Sequence, residues 1–219
     1  MRTQIMAAVM LSLALASPAQ GQEWDEFLSI EDGFSINFPG KPVIETTTYK
    51  SQFGADLPAR VYSAALGSSK YVLTVVDYGP IEQILAAKAK ACPAGAETCL
   101  GGLGSTGPGY SWADRAGALI YAAWNFMRRP GVTVTAYDWN NIDQVVGVLM
   151  HLTNPDKSRA YAGIFMHRDR LYISEGTVPE GAPEPGLFQQ SLGWIDENGN
   201  GIRYRTHYVN GQPVPPRER

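Results

Sequence analysis

Apolar and polar positions first alternate in Leu28 to Phe38, "LSIEDGFSINF". A period of two marks a strand with one buried face, and Glu31-Asp32-Gly33 supplies a turn in the middle. Read as a three-residue loop with Gly33 left-handed, it pairs Ile30 with Phe34 and Leu28 with Ile36. Pro39-Gly40 and Pro42 end this hairpin. Residues 43–50 are rich in Val, Ile and Thr and predict another strand. After the polar loop "SQFGADLP", residues 59–66 and 70–78 predict a strand pair across Gly67-Ser68-Ser69.

The period then changes. Pro80 suits the first turn of a helix. Glu82 suits its positive end and Lys88 and Lys90 its negative end, while Ile81, Ile84 and Leu85 share a face. Further on, Ser111-x-x-Asp114 resembles a capping box. Trp112, Ala116, Leu119, Ile120, Ala123, Trp124 and Met127 recur at three and four, which predicts a second helix with that stripe as its apolar face.

Residues 132–178 return to a β pattern in which register can be read. A turn at Asn154 to Lys157 sets Leu149 opposite Ala162, and a two-residue turn at Arg168-Asp169 sets Phe165 opposite Tyr172. One face then carries Val145, Leu149, His151, Ala160, Ala162, Ile164, Met166, Leu171 and Ile173. The other carries Val146, Val148, Met150, Leu152, Tyr161, Phe165 and Tyr172. Both faces are apolar, so the sheet must be covered on both sides. Two helices and a short third one, Leu187 to Leu192, are available to do so. The predicted fold class is α+β, an antiparallel β-sheet flanked by helices on both faces. It forms one domain over 23–209, followed by a mobile Pro-rich tail at 210–219.

Composition adds a compartment. The chain opens with Arg2 and an apolar run from Ile5 to Ala16, then Ser17-Pro18-Ala19. That is the layout of a cleaved signal peptide, residues 1–19, with Gly21 as the next choice of cut. The run is too short to span a bilayer, and no later segment approaches a span. The expected location is periplasmic or secreted, with no stable membrane anchor. With 18 basic and 21 acidic residues the net charge is −3, which argues against nucleic acid as a partner. Cys92 and Cys99 are an even pair in an oxidising compartment and read as a disulfide. It would close a short loop and contribute roughly 2–3 kcal/mol.

Four features invite a chemical reading. In Trp194 to Arg205, "WIDENGNGIRYR", Asp196, Asn198 and Asn200 alternate before Gly201, as at the start of an EF-hand calcium loop. The twelfth position, where a bidentate acid belongs, is His207. Asn198-Gly199 is a strong hairpin signal instead; it sets Ile195 opposite Ile202 and Trp194 opposite Arg203, with a strand following. Gly102 to Gly107 matches G-x-G-x-x-G, but Pro108-Gly109 intervene before any helix, so a loop is the better reading. His151, His167 and His207 do not converge and read as structural. Loop 51–58, with Phe53, Asp56 and Leu57, is a candidate contact loop by position.

Three stretches, "FSINFPGKP" at 34–42, "YVLTVVDY" at 71–78 and "LFQQSLGWI" at 187–195, together resemble the PsbP-like α/β/α sandwich family. That family includes the lumenal extrinsic subunit of photosystem II and many bacterial secreted proteins. The whole chain is similar to uncharacterised exported proteins of alphaproteobacteria. The resemblance implies an antiparallel sheet between helices, and it carries over no catalytic residue. The expected function is an exported, soluble, non-enzymatic binding or accessory module with a protein partner in the periplasm and no cofactor. The alternatives are a hydrolase whose site sequence spacing hides, and a calcium-binding protein working through the Asp196–Gly201 loop.

Overall fold

The structure, a computed structural model, describes residues 24–91 and 109–218. The signal segment, Cys92, Cys99 and the G-x-G-x-x-G stretch lie outside the described residues. Two sheets are built from β1 (Trp24–Ser29), β2 (Phe34–Pro39), β3 (Val43–Lys50), β4 (Asp56–Leu66), β5 (Ser69–Asp77), β6 (Thr133–Ile142), β7 (Val145–Thr153), β8 (Arg159–His167), β9 (Arg170–Val178) and β10 (Gly193–Trp194). The helices are α1 (Ile81–Lys90), α2 (Gly109–Met127) and α3 (Gly186–Gln189). Seven strands form an antiparallel sheet in the order β3-β4-β5-β9-β8-β7-β6, and β1-β2-β10 form a small one.

The large sheet is apolar on both faces, as expected, but helices cover only one of them. Under α1 and α2 lie Leu57, Met150, Leu152, Ala160, Ala162, Ile164 and Leu171. The opposite face receives the small sheet: Phe34, Ile36 and Phe38 of β2 and Trp194 of β10 pack on Tyr62, Leu73, Phe165 and Tyr172, with the four-residue α3 at the margin through Phe188. The expectation of helices on both faces is therefore wrong. The physical reason is the N-terminal hairpin: a two-stranded ribbon is marginal alone in water, and its alternating Phe-Ile-Phe face is buried only by lying on the larger sheet.

Turn chemistry fixes most registers. Leu66 pairs with Ser69 across Gly67-Ser68, a turn one residue shorter than the expected Gly67-Ser68-Ser69, whereas His167 pairs with Arg170, hence Phe165 with Tyr172, as predicted. Arg168 and Asp169 both have positive φ, 47° and 59°, as a type I′ turn requires. Three predicted registers are off by one residue, the third being that at Asn198-Gly199 in the last segment. Ser29 pairs with Phe34 and Phe27 with Ile36, because the turn spans Ile30 to Gly33 and closes with Gly33 N–H on Ser29 O at 2.7 Å. Phe27 therefore turns inward, while Leu28 and Ile30 stay exposed. Thr153 pairs with Arg159 and Met150 with Ala162, because left-handed Lys157 lengthens the loop to Ser158. That slip moves Val148, Met150 and Leu152 onto the helical face and His151 off it.

Helix α2 forms where the pattern placed it, and Ala123 and Leu119 of the predicted stripe do meet the core, but the helix is rotated so that most of the stripe's large residues face out. Ala118, Ala122, Ala123 and Phe126 are buried on the sheet, whereas Trp112, Ile120, Trp124 and Met127 are exposed. Small residues face Ala160 and Ala162 of β8, which lets helix and sheet approach closely. The last segment also departs from expectation. Ile195 bridges Gly201 rather than facing Ile202, and residues 203–209 are not a strand. Instead Tyr204 N–H and Tyr208 N–H donate to Asp143 O (3.3 Å) and Gln144 O (2.8 Å), docking this segment on the β6–β7 turn. Beyond it, Arg205 N–H donates to Pro216 O at 3.0 Å and Glu218 N–H to Arg203 O at 2.7 Å.

Candidate functional site

Three buried ionisable nodes hold the layers together. The first is Asp32, in the β1–β2 turn and 3% exposed. Arg60 of β4 donates to it twice, from Nε to Oδ2 at 2.7 Å and from Nη2 to Oδ1 at 2.6 Å. Tyr62 Oη donates to Oδ2 at 2.5 Å, and Tyr172 Oη donates to the Asp32 carbonyl at 2.6 Å. Glu31 takes the remaining Arg60 nitrogen, Nη1, at 2.5 Å. Burial, then the neighbouring Asp32 carboxylate, pushes the Tyr62 phenol up to about 12. An open cleft of about 300 Å³ flanks this node, between the turn and β3, β4 and β5. Its one strongly basic group, Arg60, is already matched by two carboxylates.

The second node is Asp114, fully buried on α2. The Ser111-x-x-Asp114 spacing predicts a capping box. Asp114 lies inside the helix instead and holds loop 51–53: Ser51 Oγ donates to Oδ2 at 2.5 Å, and the N–H groups of Gln52 and Phe53 donate at 3.2 and 3.4 Å. Burial pushes its carboxyl above the usual range, against the pull of those donors. The candidate contact loop is thus anchored from beneath, and Leu57 is core.

The third node is His167, 1% exposed at the end of β8. Its Nε2 is 2.8 Å from Tyr204 Oη, and its ring lies 4.8 Å from Trp194 and 5.5 Å from Tyr208. Burial, with Arg168 and Arg170 nearby, lowers its pKa to about 3, so the imidazole is neutral at ordinary pH. His151 packs edge-on against Tyr161 at 4.7 Å, and His207 is exposed against Trp139 at 5.5 Å. The three histidines occupy three separate aromatic settings.

The Asp196 loop closes as a turn. Asp196 Oδ1 accepts from Asn198 N–H and Asn200 N–H, each at 2.9 Å, and Gly199 is left-handed at φ 81°. The backbone N–H of Asn200, followed by that of Asn198, holds this carboxyl below its usual range. Two of the three residues proposed for a calcium loop are therefore turn partners of the third. Trp194 does not meet Arg203; its indole N–H donates to Ile142 O at 2.9 Å.

A second cleft, about 190 Å³, lies between α2 and strands β3, β5 and β9. Val72, Ala122, Phe126 and Ile173 give it apolar walls, and Tyr49, Thr74 and Asn125 add polar groups. Arg129 and Glu175 close one side as a two-pronged ion pair at 2.6 and 2.9 Å. The Tyr49 hydroxyl is buried and meets no hydrogen-bond partner among the described residues.

Sequence reasoning missed Asp32, Arg60, Asp114 and Tyr49. One signal for Arg60 was present: it shares strand parity with inward-facing Tyr62, and a charge there needs a buried acid. Tyr49 had no such signal, because its setting exists only once α2 is docked.

No family model matches the chain, and no curated protein matches it. Among solved structures it is similar to the solution structure of cyanobacterial PsbP (CyanoP) from Synechocystis sp. PCC 6803. The identity is 10%, the TM-score 0.43, and the match covers 80% of this chain and 94% of that one. At that score the likeness carries neither fold detail nor function across. Among the described residues no helix is long and apolar enough to cross a membrane.

Proposed function

We propose that the chain is an exported, non-enzymatic binding or accessory module, cut after Ala19, stapled by Cys92–Cys99, and acting on a partner or ligand in the periplasm. The observation that supports this most is how the buried ionisable groups are used. Asp32 joins the two sheets, Asp114 ties a loop to α2, and His167 sits in an aromatic cage bonded to Tyr204. A general base has to reach a substrate proton and titrate near the working pH; His167 is shut away and titrates far below it. The hydrolase and calcium alternatives gain nothing from the His and Asp196 settings described above.

The test has two arms. Affinity capture and cross-linking from an exported fraction should return one reproducible stoichiometric partner, or a bound small molecule on native mass spectrometry. Assays with activated esters and amides should show no turnover above background. Repeatedly empty captures, or turnover that disappears in His167→Phe, would overturn the reading.

A further inference from the structure

We propose that the cleft between α2 and strands β3, β5 and β9 binds a small, uncharged, mostly apolar molecule bearing one hydrogen-bond acceptor, of the size of a single ring with a carbonyl substituent. The proposal rests on the binding-module reading and supplies its ligand class.

Size comes first. An apolar cavity of about 150 Å³ is enough to hold benzene. This cleft, at about 190 Å³, has room for a ring and a few further atoms. Its walls are the aliphatic faces of Val72, Ala122 and Ile173 and the ring of Phe126. A pocket that is largely apolar with a few polar groups is the usual form of a small-molecule site.

The acceptor requirement follows from Tyr49. Its hydroxyl is buried, and no acceptor reaches it among the described residues. Asn125 stands beside it and can turn an amide N–H toward the phenol oxygen, while its Oδ1 accepts from Arg128 Nη2 at 2.9 Å and takes no bond from the Tyr49 O–H. Burial holds the Tyr49 phenol well above its ordinary range, so the proton is present throughout the physiological range. A buried donor without an acceptor is costly, and buried polar groups are nearly always satisfied. An oxygen on a ligand seated against Phe126 would satisfy it.

Charge neutrality follows from the rim. Arg129 and Glu175 satisfy each other through two bonds, and Arg129 also lies over the Phe126 ring at 4.1 Å. A ligand carboxylate would have to take Arg129 from Glu175 and strand the latter, whereas a neutral carbonyl leaves the pair intact.

Methyl-resolved NMR titration of the mature chain with acetophenone, benzene and benzoate tests this. Acetophenone should saturate, with shifts centred on Val72, Ala122 and Ile173. It should bind about tenfold more tightly than benzene or benzoate. Tyr49→Phe should erase the preference over benzene and leave benzene unchanged. Ala122→Leu should fill the cleft and abolish both; if that variant misfolds, Val72→Leu serves. No saturable shift at millimolar probe, shifts centred elsewhere, or a preference that survives Tyr49→Phe would each overturn the proposal, as would a bound water that acetophenone fails to displace. Failed probe binding alongside a captured protein partner would remove this site and leave the binding-module reading standing.

Discussion

Arg60 and Asp32 form a two-pronged ion pair across the seam between the two sheets, at 2.7 and 2.6 Å. Asp32 belongs to the small sheet's hairpin and Arg60 to the large sheet, so the pair fixes where one lies on the other. The Arg60 side chain is 28% exposed and the Asp32 side chain 5%. Arg60→Met leaves a buried carboxylate held by Tyr62, with Arg170 Nε 3.9 Å away; Asp32→Asn leaves a guanidinium that can still turn to water and Glu31. Losing one partner of a buried pair costs about 3–5 kcal/mol when the remaining charge is trapped. Arg60→Met should therefore lower stability by about 3 kcal/mol and Asp32→Asn by clearly less. Denaturant unfolding decides it; equal losses, or the reverse order, would contradict this reading of the seam.

The two faces of α2 make a second test. Ile120 is 71% exposed, whereas Ala118 is fully buried over the sheet. Ile120→Lys should change stability by less than about 0.5 kcal/mol, while Ala118→Leu overpacks a closed contact and should cost about 1–3 kcal/mol. Thermal melts of the two variants separate the cases, and the opposite order would restore the stripe predicted from the sequence.

That stripe shows where sequence reading stops. Period alone placed α2, but choosing its inner face meant guessing that large side chains go inward. Here Ala118 and Ala122 go inward because β8 offers Ala160 and Ala162, a match no local window contains. Strands were legible where the turn declares itself, as at Arg168-Asp169. They slipped at Ile30–Gly33 and Asn154–Ser158, where one extra turn residue reverses every face. The ion pair of Asp32 with Arg60 joins residues 28 apart, and the Tyr49 cleft needs three strands and a docked helix. Both are products of tertiary packing.

The β6–β7 turn carries avoidable strain. Asp143 and Gln144 both have positive φ, 47° and 71°, and a left-handed residue with a Cβ costs roughly 1–2 kcal/mol. Asp tolerates that region better than Gln. Gln144→Gly keeps the Gln144 carbonyl that accepts from Tyr208 N–H and should stabilise the protein by about 1 kcal/mol, or roughly 2–4 °C in Tm. A lower Tm in calorimetry would mean that the Gln144 side chain has a role its backbone angles do not reveal.

His167 sets an acid limit on stability. Its folded pKa is lowered from 6.5 to about 3, so the unfolded chain binds a proton that the folded one refuses between those values. Its contribution is complete above pH 6.5 and is lost as the pH falls toward 3, at up to about 1.4 kcal/mol per pH unit. Asp114 acts with the opposite sign: its raised pKa means that the folded state holds a proton more tightly, and that contribution fades as the pH rises through the raised value. The two overlap in mild acid, so the wild-type slope alone is ambiguous. His167→Phe keeps an aromatic ring in the cage while removing the titration. Urea unfolding at pH 7, 6, 5 and 4 should show wild type losing stability more steeply than His167→Phe below pH 6.5, with the two curves parallel above it. Parallel curves throughout would mean that the folded imidazole takes up its proton near pH 6.5, as the unfolded one does, so that below this pH Trp194, Tyr204 and Tyr208 surround a cation.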